Sequence, residues 1–389
     1  MKVTYVIHRY GAEVTAGAEH ATRLLAEHLA AHTGWEVEVL TTCALGTDWE
    51  NEYPPGRTEL NGIPVTRFTS EVGRSADFLA VSDQVLPFGD RAPIEMQERW
   101  LDAQGPVNHG LIDAVEQSDA DVIVFSPYLY YPTARGIERV SDRAVLQPAT
   151  HDEMAVRLPV YRRVFGAPRA LSFFTDSERR LTNRLFPVAT KPQVVSGLGV
   201  ERGAAAAAPF GPTVGIGDRP FVLVLGRVDP GKGSTIAADY FRAYKRRHPG
   251  DLAMVFVGPV VAPPDVDGDV VLAGVVDEPT KWAALRDAEV FLSPSPFESF
   301  SIVLMEAWLA GRPVVVNGAC EVTREHCQRS GGGLWFNGYA EFEAVLSRLG
   351  DADLRDQLGA AGRRYVERHY AWPSVMERYA AFLGRLSTR

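Results

Sequence analysis

The feature that most constrains this chain is an alternation of short apolar runs with helical stretches that lapses once and then resumes. Near the N-terminus "KVTYVIH" reads as a buried strand, and "AGAEHATRLLAEHLAAH" follows with helical spacing of its apolar positions. "WEVEVLTT" supplies another strand, and "LNGIPVTRF" reads as a hairpin around Asn61 and Gly62. "ADVIVFS", "RAVLQPAT" and "PQVVSG" are further strands, with helical stretches such as "EMQERWLDAQ" and "SERRLTNRLF" between them. Around residues 198 to 219 the pattern gives way to "GLGVERGAAAAAPFGPTVGIGD", rich in Gly, Ala and Pro, which reads as a linker. It then restarts with "PFVLVLG", "DLAMVFVG", "DVVLAGVV", "AEVFLSPS" and "RPVVVNG". Strand and helix in turn argue for α/β domains with parallel sheets covered by helices, here two in series. In such sheets ligands bind at the carboxyl ends of the strands, so a cleft between the domains is the expected site.

Composition narrows the class. The 389 residues suffice for two or three domains, and 46% apolar with 23% charged residues is ordinary for a soluble globular protein. No run approaches the roughly 20 apolar residues of a membrane span, and "MKVTYVIHRYG" lacks a signal-peptide cleavage pattern, so cytoplasmic residence is the default. The formal charge of −9 argues against nucleic-acid partners. An acidic chain with no distinct basic amphipathic segment gives membrane association little support, and peripheral attachment to reach a lipid-linked acceptor is the form left open. Cys43, Cys320 and Cys327 make no disulfide framework. "CEVTREHC" has His326 beside Cys327 but lacks a second ligand pair at finger-like spacing.

Two motifs carry chemistry. "LVLGRVDPGKGS" runs from a strand into a helix with Arg227 and Lys232 among glycines, an arrangement that suits a phosphate at a helix N-terminus. Its spacing matches most of a P-loop, which would imply an NTPase, but Gly233 stands where a Ser or Thr would bind Mg²⁺. A surface turn with solvated charges is the bland alternative. "PSPFESFSIVLMEAW" places Glu298 just before a helix and Glu306 inside it. Eight helical residues would separate them by about 12 Å along the axis and about 80° around it, which suits two hydroxyl-rich parts of one extended ligand rather than an acid/base pair. A glutamate at a helix start is often only a cap, whereas one inside an apolar helix is expensive unless satisfied, which favours function at Glu306. Asp265-x-Asp267 looks like a metal-binding DxD but sits in a Pro/Asp/Gly turn, and no metal is expected.

Taken together, these residues resemble the nucleotide-sugar glycosyltransferases of the two-domain GT-B fold, in particular the retaining family GT4. The resemblance rests on the Glu-x7-Glu pair, "GRVDPGKG", "GRPVVV" and "GGLWF", with "AGAEHATRLLAEHL", "TDSERRLTNRLF" and "GLGVE" extending it over nearly the whole chain. It implies two Rossmann-like domains facing a cleft: residues 1–200 for the acceptor, a linker at 201–219, residues 220–370 for the nucleotide sugar, and a helical segment 371–389 that is a candidate to return to the first domain. It implies transfer of a sugar from a nucleoside diphosphate sugar to an acceptor hydroxyl with retention of configuration, without a bound cofactor. Arg227 and Lys232 would hold the diphosphate, Glu306 the ribose and Glu298 the transferred sugar. Amides around Phe300, Ser301 and Ile302 would assist, although the family often has glycine at the place of Ser301. Gly17 would approach the diphosphate from the first domain, and Val275 and Val276 would hold the base through main-chain groups. His151 in "QPATHDEM" would contact the sugar, its other reading being a histidine bonded only locally. Gln104, His109, Tyr128 and Tyr130 are acceptor-side candidates, with the aromatics read equally well as core. A P-loop-like NTPase and a nucleotide-sugar-binding protein without catalysis are the competing readings.

Overall fold

Each series of apolar runs forms its own sheet. The computed structural model describes residues 1–14 and 16–387. It divides into unit 1, Met1–Leu198 together with the chain from Val375, and unit 2, Gly199–Ser374. Unit 1 holds β1 (Lys2–Val6), β2 (Glu36–Thr42), β3 (Gly56–Leu60), β4 (Ile63–Phe68), β5 (Val122–Phe125), β6 (Ala144–Leu146), β7 (Ala170–Phe173) and β8 (Gln193–Val195). Their order is β3-β4-β2-β1-β5-β6-β7-β8. All neighbours pair in parallel except β3 with β4, the hairpin turned by Asn61 and Gly62 at φ 50° and 79°. The interior strands β5, β6 and β7 are buried throughout, which is why they read as unbroken apolar runs. Val6, Leu40, Trp100, Phe125, Tyr161 and Phe165 share the unit's core.

Unit 2 holds β9 (Phe221–Leu225), β10 (Ala253–Val257), β11 (Val270–Gly274), β12 (Val290–Ser293), β13 (Val314–Asn317) and β14 (Gly333–Phe336), ordered β11-β10-β9-β12-β13-β14. Every neighbouring pair is parallel. Val222, Phe241, Phe256, Leu292, Phe336 and Phe342 lie in its core. Burying side chains of this size contributes about 1.5–3 kcal/mol each, so these strands hold their register without help from a ligand.

Residues 201–219, expected as a linker, fall within unit 2 and pack on it at several points. Phe210 is buried with its ring 5.7 Å from that of Phe221, and its N–H donates to Asp287 Oδ2 at 2.9 Å. The Ala206 N–H donates to the Pro279 carbonyl at 2.8 Å. A Cβ at Gly203 would come within 2.2 Å of the Trp282 indole nitrogen, so the chain lies flat on that ring. A run poor in apolar period needs only such a few anchors to be ordered.

The C-terminal helix, Trp372–Ser387, carries the chain back to unit 1. The hydroxyls of Tyr379 and Tyr5 meet at 3.2 Å, Arg378 Nη2 donates to the Ser196 carbonyl at 2.9 Å, and Arg169 Nη1 donates to the Leu386 carbonyl at 2.8 Å. The last two residues of the expected 371–389 segment lie outside the described residues. No helix among the described residues is long and apolar enough to cross a membrane.

Candidate functional site

The sheet of unit 2 reverses its winding at β9, which lies between β10 on one side and β12 on the other. Outside the carboxyl ends of such a strand pair the following loops diverge and leave room for a ligand. Two motifs singled out in the sequence start there: β9 runs into Gly226–Ser234, and β12 into the segment from Pro294 to Ser301. Gly233, at φ 77°, joins the two loops, because a Cβ there would lie 2.4 Å from the Pro294 carbonyl oxygen. This contact explains why the loop departs from a P-loop at that position. A Ser or Thr would be strained by the left-handed backbone and would collide with Pro294.

The first loop is tied by its own acid. Asp229 caps the short turn Pro230–Lys232 by accepting the Lys232 N–H at 3.0 Å, and its other carboxylate oxygen pairs with Arg227 Nε. Burial works against its ionisation, but Arg227 and the backbone N–H groups hold the Asp229 carboxyl below the ordinary value. The Arg227 side chain is 57% exposed, so the guanidinium is anchored on one edge and open to a ligand on the rest. Lys232 Nζ reaches across to the second loop and pairs with Glu298 Oε1 at 2.8 Å.

Glu298 precedes the helix Ile302–Leu309 and Glu306 lies within it. Phe300 is buried against Tyr370 and His326, with ring centroids 5.2 and 5.7 Å away. Ser301 stands at the N-cap position of the helix at φ 68°, ψ 75°, a left-handed conformation that favours glycine, and its side chain makes no capping bond. Its Oγ is buried without a hydrogen-bond partner among the described residues. The first-turn N–H groups at Ser301 and Ile302 have no intrahelical carbonyl to meet and are donors for a ligand anion by position.

Glu306 is satisfied on one oxygen only. Lys281 Nζ donates to Oε1 at 2.8 Å, while Oε2 is buried with no hydrogen-bond partner among the described residues. Burial pushes the Glu306 carboxyl above the usual carboxylate value, and the Lys281 charge opposes that rise. Conversely, burial would lower Lys281, but Glu306 and Glu278 hold it above its ordinary value. Lys281 was not singled out by sequence reasoning. It stands 25 positions before Glu306 on the helix Glu278–Asp287, whose cap Asp277 accepts the Thr280 N–H at 2.9 Å. Only the improbability of a lone buried carboxylate pointed to some cation there.

Other expected residues divide between the units. Val275, which follows β11, is 72% exposed, and Val276 is half-buried. In unit 1, Gly17 opens the helix Gly17–Thr33, with open space where a Cβ would stand. His151 follows β6; its carbonyl accepts the Glu153 N–H at 2.8 Å and its Nδ1 lies 3.4 Å from Glu153 Oε1. The segment before it is held by buried Glu178, whose oxygens accept the N–H groups of Thr150 and Phe174, both at 2.8 Å. Ala149, next to Thr150 in this segment, has φ 53°. Tyr128 is core, its hydroxyl donating to Glu153 at 2.7 Å. Gln104 is buried, His109 is exposed, and the Tyr130 ring lies 3.8 Å from that of His8.

Among the described residues no three His, Cys, Asp or Glu side chains gather as a metal group. Asp267 Oδ1 accepts the N–H groups of Asp269 and Val270, which makes the Asp265/Asp267 segment a turn. His326 is buried, with Nδ1 3.1 Å from the Tyr365 hydroxyl, and it belongs to an aromatic cluster with Phe300, Tyr365 and Tyr370.

Residues 219–350 match the family model described as "Glycosyl transferases group 1". Over 258 residues the chain is 28% identical to the GDP-mannose-dependent alpha-(1-6)-phosphatidylinositol monomannoside mannosyltransferase of Mycobacterium tuberculosis, covering 59% of this chain and 65% of that one. The phosphatidyl-myo-inositol mannosyltransferase of Mycobacterium leprae is 38% identical over 105 residues, 26% of this chain and 28% of its own. The chain thus spans just under two thirds, or less, of the curated relatives it matches. The sucrose-phosphate synthase of Thermosynechococcus elongatus superposes over 100% of this chain and 99% of its own, with a TM-score of 0.73 at 16% identity. Anabaena Alr3699/HepE in complex with UDP and glucose superposes over 99% and 100%, with a TM-score of 0.67 at 13% identity. At these identities the likeness establishes the fold, which is GT-B.

Proposed function

We propose that this chain, of the GT-B fold and akin in residues 219–350 to the group 1 glycosyl transferases, moves a sugar from a nucleoside diphosphate sugar to an acceptor hydroxyl. The observation that carries the reading is the buried Glu306 Oε2 without a partner, eight positions beyond a second glutamate that is bridged to the lysine of a glycine-rich loop. A vicinal diol, such as that of a ribose, supplies the missing donors. Arg227, Lys232 and the first-turn amides of the helix Ile302–Leu309 then meet the diphosphate, and Val275 and Val276 meet the base through their main chain. Glu298 accepts from hydroxyls of the transferred sugar. His151 and Gly17 in unit 1 are assigned to the sugar and the diphosphate.

The chemistry asked of these groups is electrostatic. As the bond between the anomeric carbon and the diphosphate oxygen breaks, negative charge accumulates on the leaving group. Preorganised cations and N–H dipoles stabilise that charge without further reorganisation. Each charge-assisted hydrogen bond contributes about 1.5–3 kcal/mol, and whatever part of it strengthens on the way to the transition state appears in the rate. No side chain is assigned as nucleophile. The acceptor oxygen bonds to the anomeric carbon on the face the diphosphate leaves, the diphosphate oxygen takes the acceptor proton, and configuration is retained.

The mycobacterial relative is named as GDP-mannose-dependent and the Anabaena structure holds UDP, so GDP- and UDP-hexoses are the first donors to test. A thermal-stabilisation screen of nucleotide sugars should give one base a clear upward shift, since a ligand bound by the folded state alone raises stability. Transfer with the best donor, read by the anomeric proton of the product, then tests retention. Stabilisation by no nucleotide sugar, or an inverted product, would contradict the corresponding part of the proposal.

A further inference from the structure

We propose that unit 1 carries a phosphate receptor, built on Arg74 and Arg9 beside the ring of Trp49, that selects an acceptor bearing a phosphate group. The inference rests on the transferase reading insofar as it calls that ligand the acceptor.

The Arg74 guanidinium stacks against two aromatic rings, 4.8 Å from the centroid of Trp49 and 4.9 Å from that of Phe78. Its side chain donates no hydrogen bond and has no carboxylate within ion-pair distance among the described residues, and its Nε is buried without a partner. Burial lowers its proton affinity; Arg9 adds to that, and Tyr130 and the exposed Asp48 oppose it. Arg74 is half-buried, and a guanidinium with its Nε out of water usually has a carboxylate or carbonyl across its fork.

Arg9 stands on the same indole, 5.6 Å from the Trp49 centroid. Its Nε donates to Glu19 Oε1 at 2.7 Å and its Nη1 to the Leu45 carbonyl at 3.0 Å, which leaves Nη2 without a partner among the described residues. Glu19 also takes His8 Nε2 at 3.0 Å. Burial opposes its ionisation, yet the His8 ring and Arg9 hold the Glu19 carboxyl down, at about 2. Glu19 therefore stays ionised and neutralises one guanidinium. The second guanidinium, that of Arg74, has no carboxylate in ion-pair contact among the described residues and feels only the exposed Asp48 from farther away.

The cluster is rigid, which separates a receptor from two loose surface arginines. Trp49 is buried at φ 65°, and its Nε1 donates to the Gln104 carbonyl at 2.6 Å. The Arg74 N–H donates to the Asp48 carbonyl at 2.7 Å, and a Cβ on neighbouring Gly73 would lie 2.7 Å from that same carbonyl oxygen. The cluster also sits by the switch point of its sheet, since His8 and Arg9 follow β1, which lies between β2 and β5. A planar fork held by aromatic rings, with its side-chain N–H groups unspent among the described residues, is complementary to a phosphate.

The test measures binding without catalysis. Inorganic phosphate is titrated calorimetrically into the wild type and the Arg74→Gln, Arg74→Lys and Lys232→Ala variants, each first checked by circular dichroism. Arg74→Gln should weaken phosphate binding at least about tenfold, the loss of one charged hydrogen bond or more. Arg74→Lys should recover part of it, and Lys232→Ala, in unit 2, should leave that component unchanged. Equal affinity in Arg74→Gln and wild type, or a loss confined to Lys232→Ala, would overturn the proposal; if Arg74→Gln does not fold, Arg74→Lys with undiminished affinity overturns it equally. Glucose 6-phosphate in solution and phosphatidylinositol in phosphatidylcholine vesicles then distinguish a soluble sugar phosphate from a lipid headgroup by which of them depends on Arg74. Arg74-dependent phosphate binding without transfer from any nucleotide sugar keeps the receptor and removes the transferase reading. Transfer to neutral acceptors that is indifferent to Arg74 does the reverse.

Discussion

Replacing Lys281 by Met tests the half of the site that binding chemistry leans on most. The substitution keeps the length of the side chain and removes its charge, leaving Glu306 buried with neither oxygen matched to a cation. Breaking a fully buried ion pair by removing one partner costs about 3–5 kcal/mol. Here the Lys281 and Glu306 side chains keep 18% and 11% exposure, and Lys281 has a second, exposed partner in Glu278 at 2.9 Å. A loss of about 2 kcal/mol is therefore expected in urea unfolding. Lys281→Met combined with Glu306→Gln should be less unstable than the two single losses summed, by about 1–2 kcal/mol, because neither variant alone removes both charges.

The pH dependence carries the sharper sign. Burial already raises the Glu306 carboxyl above 4.5, with Lys281 restraining the rise, so the folded state holds a proton in a window where the unfolded chain has lost it. Stability from this group is complete below 4.5 and is lost as pH climbs through the folded value. Without Lys281 the window extends to higher pH. Affinity for a nucleoside diphosphate should move the opposite way, rising with pH, because a ribose diol donates better to a carboxylate than to a carboxylic acid. Calorimetric titrations over a pH series should place the rise at higher pH in Lys281→Met than in wild type. Superimposable affinity profiles, or strictly additive stability losses, would refute the assignment of Glu306 as the diol acceptor restrained by Lys281.

Lys232→Ala should lower transfer at least about 100-fold with an unchanged circular dichroism spectrum, since it removes a charge from the departing diphosphate; steady-state kinetics with the preferred donor checks it. Glu298→Gln should leave affinity for free nucleoside diphosphate equal or tighter, by freeing Lys232, while weakening the intact donor; competition titrations of the two ligands decide it. Burial drives the His326 imidazole down to about 3 from 6.5, so below 6.5 the unfolded chain takes up a proton that the folded one refuses. Stability should then fall by about 1.4 kcal/mol per pH unit towards pH 3 from this residue, a slope that His326→Gln abolishes in pH-dependent urea melts. A Cβ on Gly362 would stand 2.0 Å from Trp308 Cδ1, so Gly362→Ala should lower the urea midpoint by the equivalent of about 1–3 kcal/mol at constant slope.

The sequence was legible where period and chemistry agree. Unbroken apolar runs such as "VIVF" and "FVLVL" announced strands covered on both faces, and Asn61-Gly62 announced the hairpin, because only a left-handed turn joins strands that tightly. The pairing of Lys232 with Glu298 was not legible, since it depends on β9 and β12 being neighbours although the elements from Ser234 to Asp287 separate them in the chain. The same holds for Lys281 with Glu306. The anchoring of 201–219 was not legible, because it rests on single contacts, Gly203 under Trp282 and Phe210 beside Phe221, which leave no period to detect. Arg74 was invisible for the opposite reason. Nothing in "EVGRSADF" marks an arginine that lacks a partner, because unpaired charge is a property of the surroundings and not of the residue.

The two glutamates of the Glu-x7-Glu motif thus sit in different surroundings, although their spacing suggests twins. Helical spacing does not relate them, because the helix begins only at Ile302 and Glu298 sits in the loop before it. Glu298 and Lys232 form a pair whose side chains are 19% and 37% exposed, a kind typically worth about 0–1 kcal/mol. On the proposed assignment, a diphosphate would displace a single carboxylate from Lys232 and free Glu298 to accept from sugar hydroxyls, so recognition of the sugar would follow recognition of the phosphate. Glu306 cannot exchange in this way, being 8% exposed and held to Lys281 on one oxygen. Its unpaired Oε2 offers a single fixed acceptor whose burial makes an unmatched diol costly to lose. On the proposed assignment, a donor would meet a rigid contact at the ribose and a displaceable one at the sugar, and the sugar contact would return to Lys232 once the sugar has left.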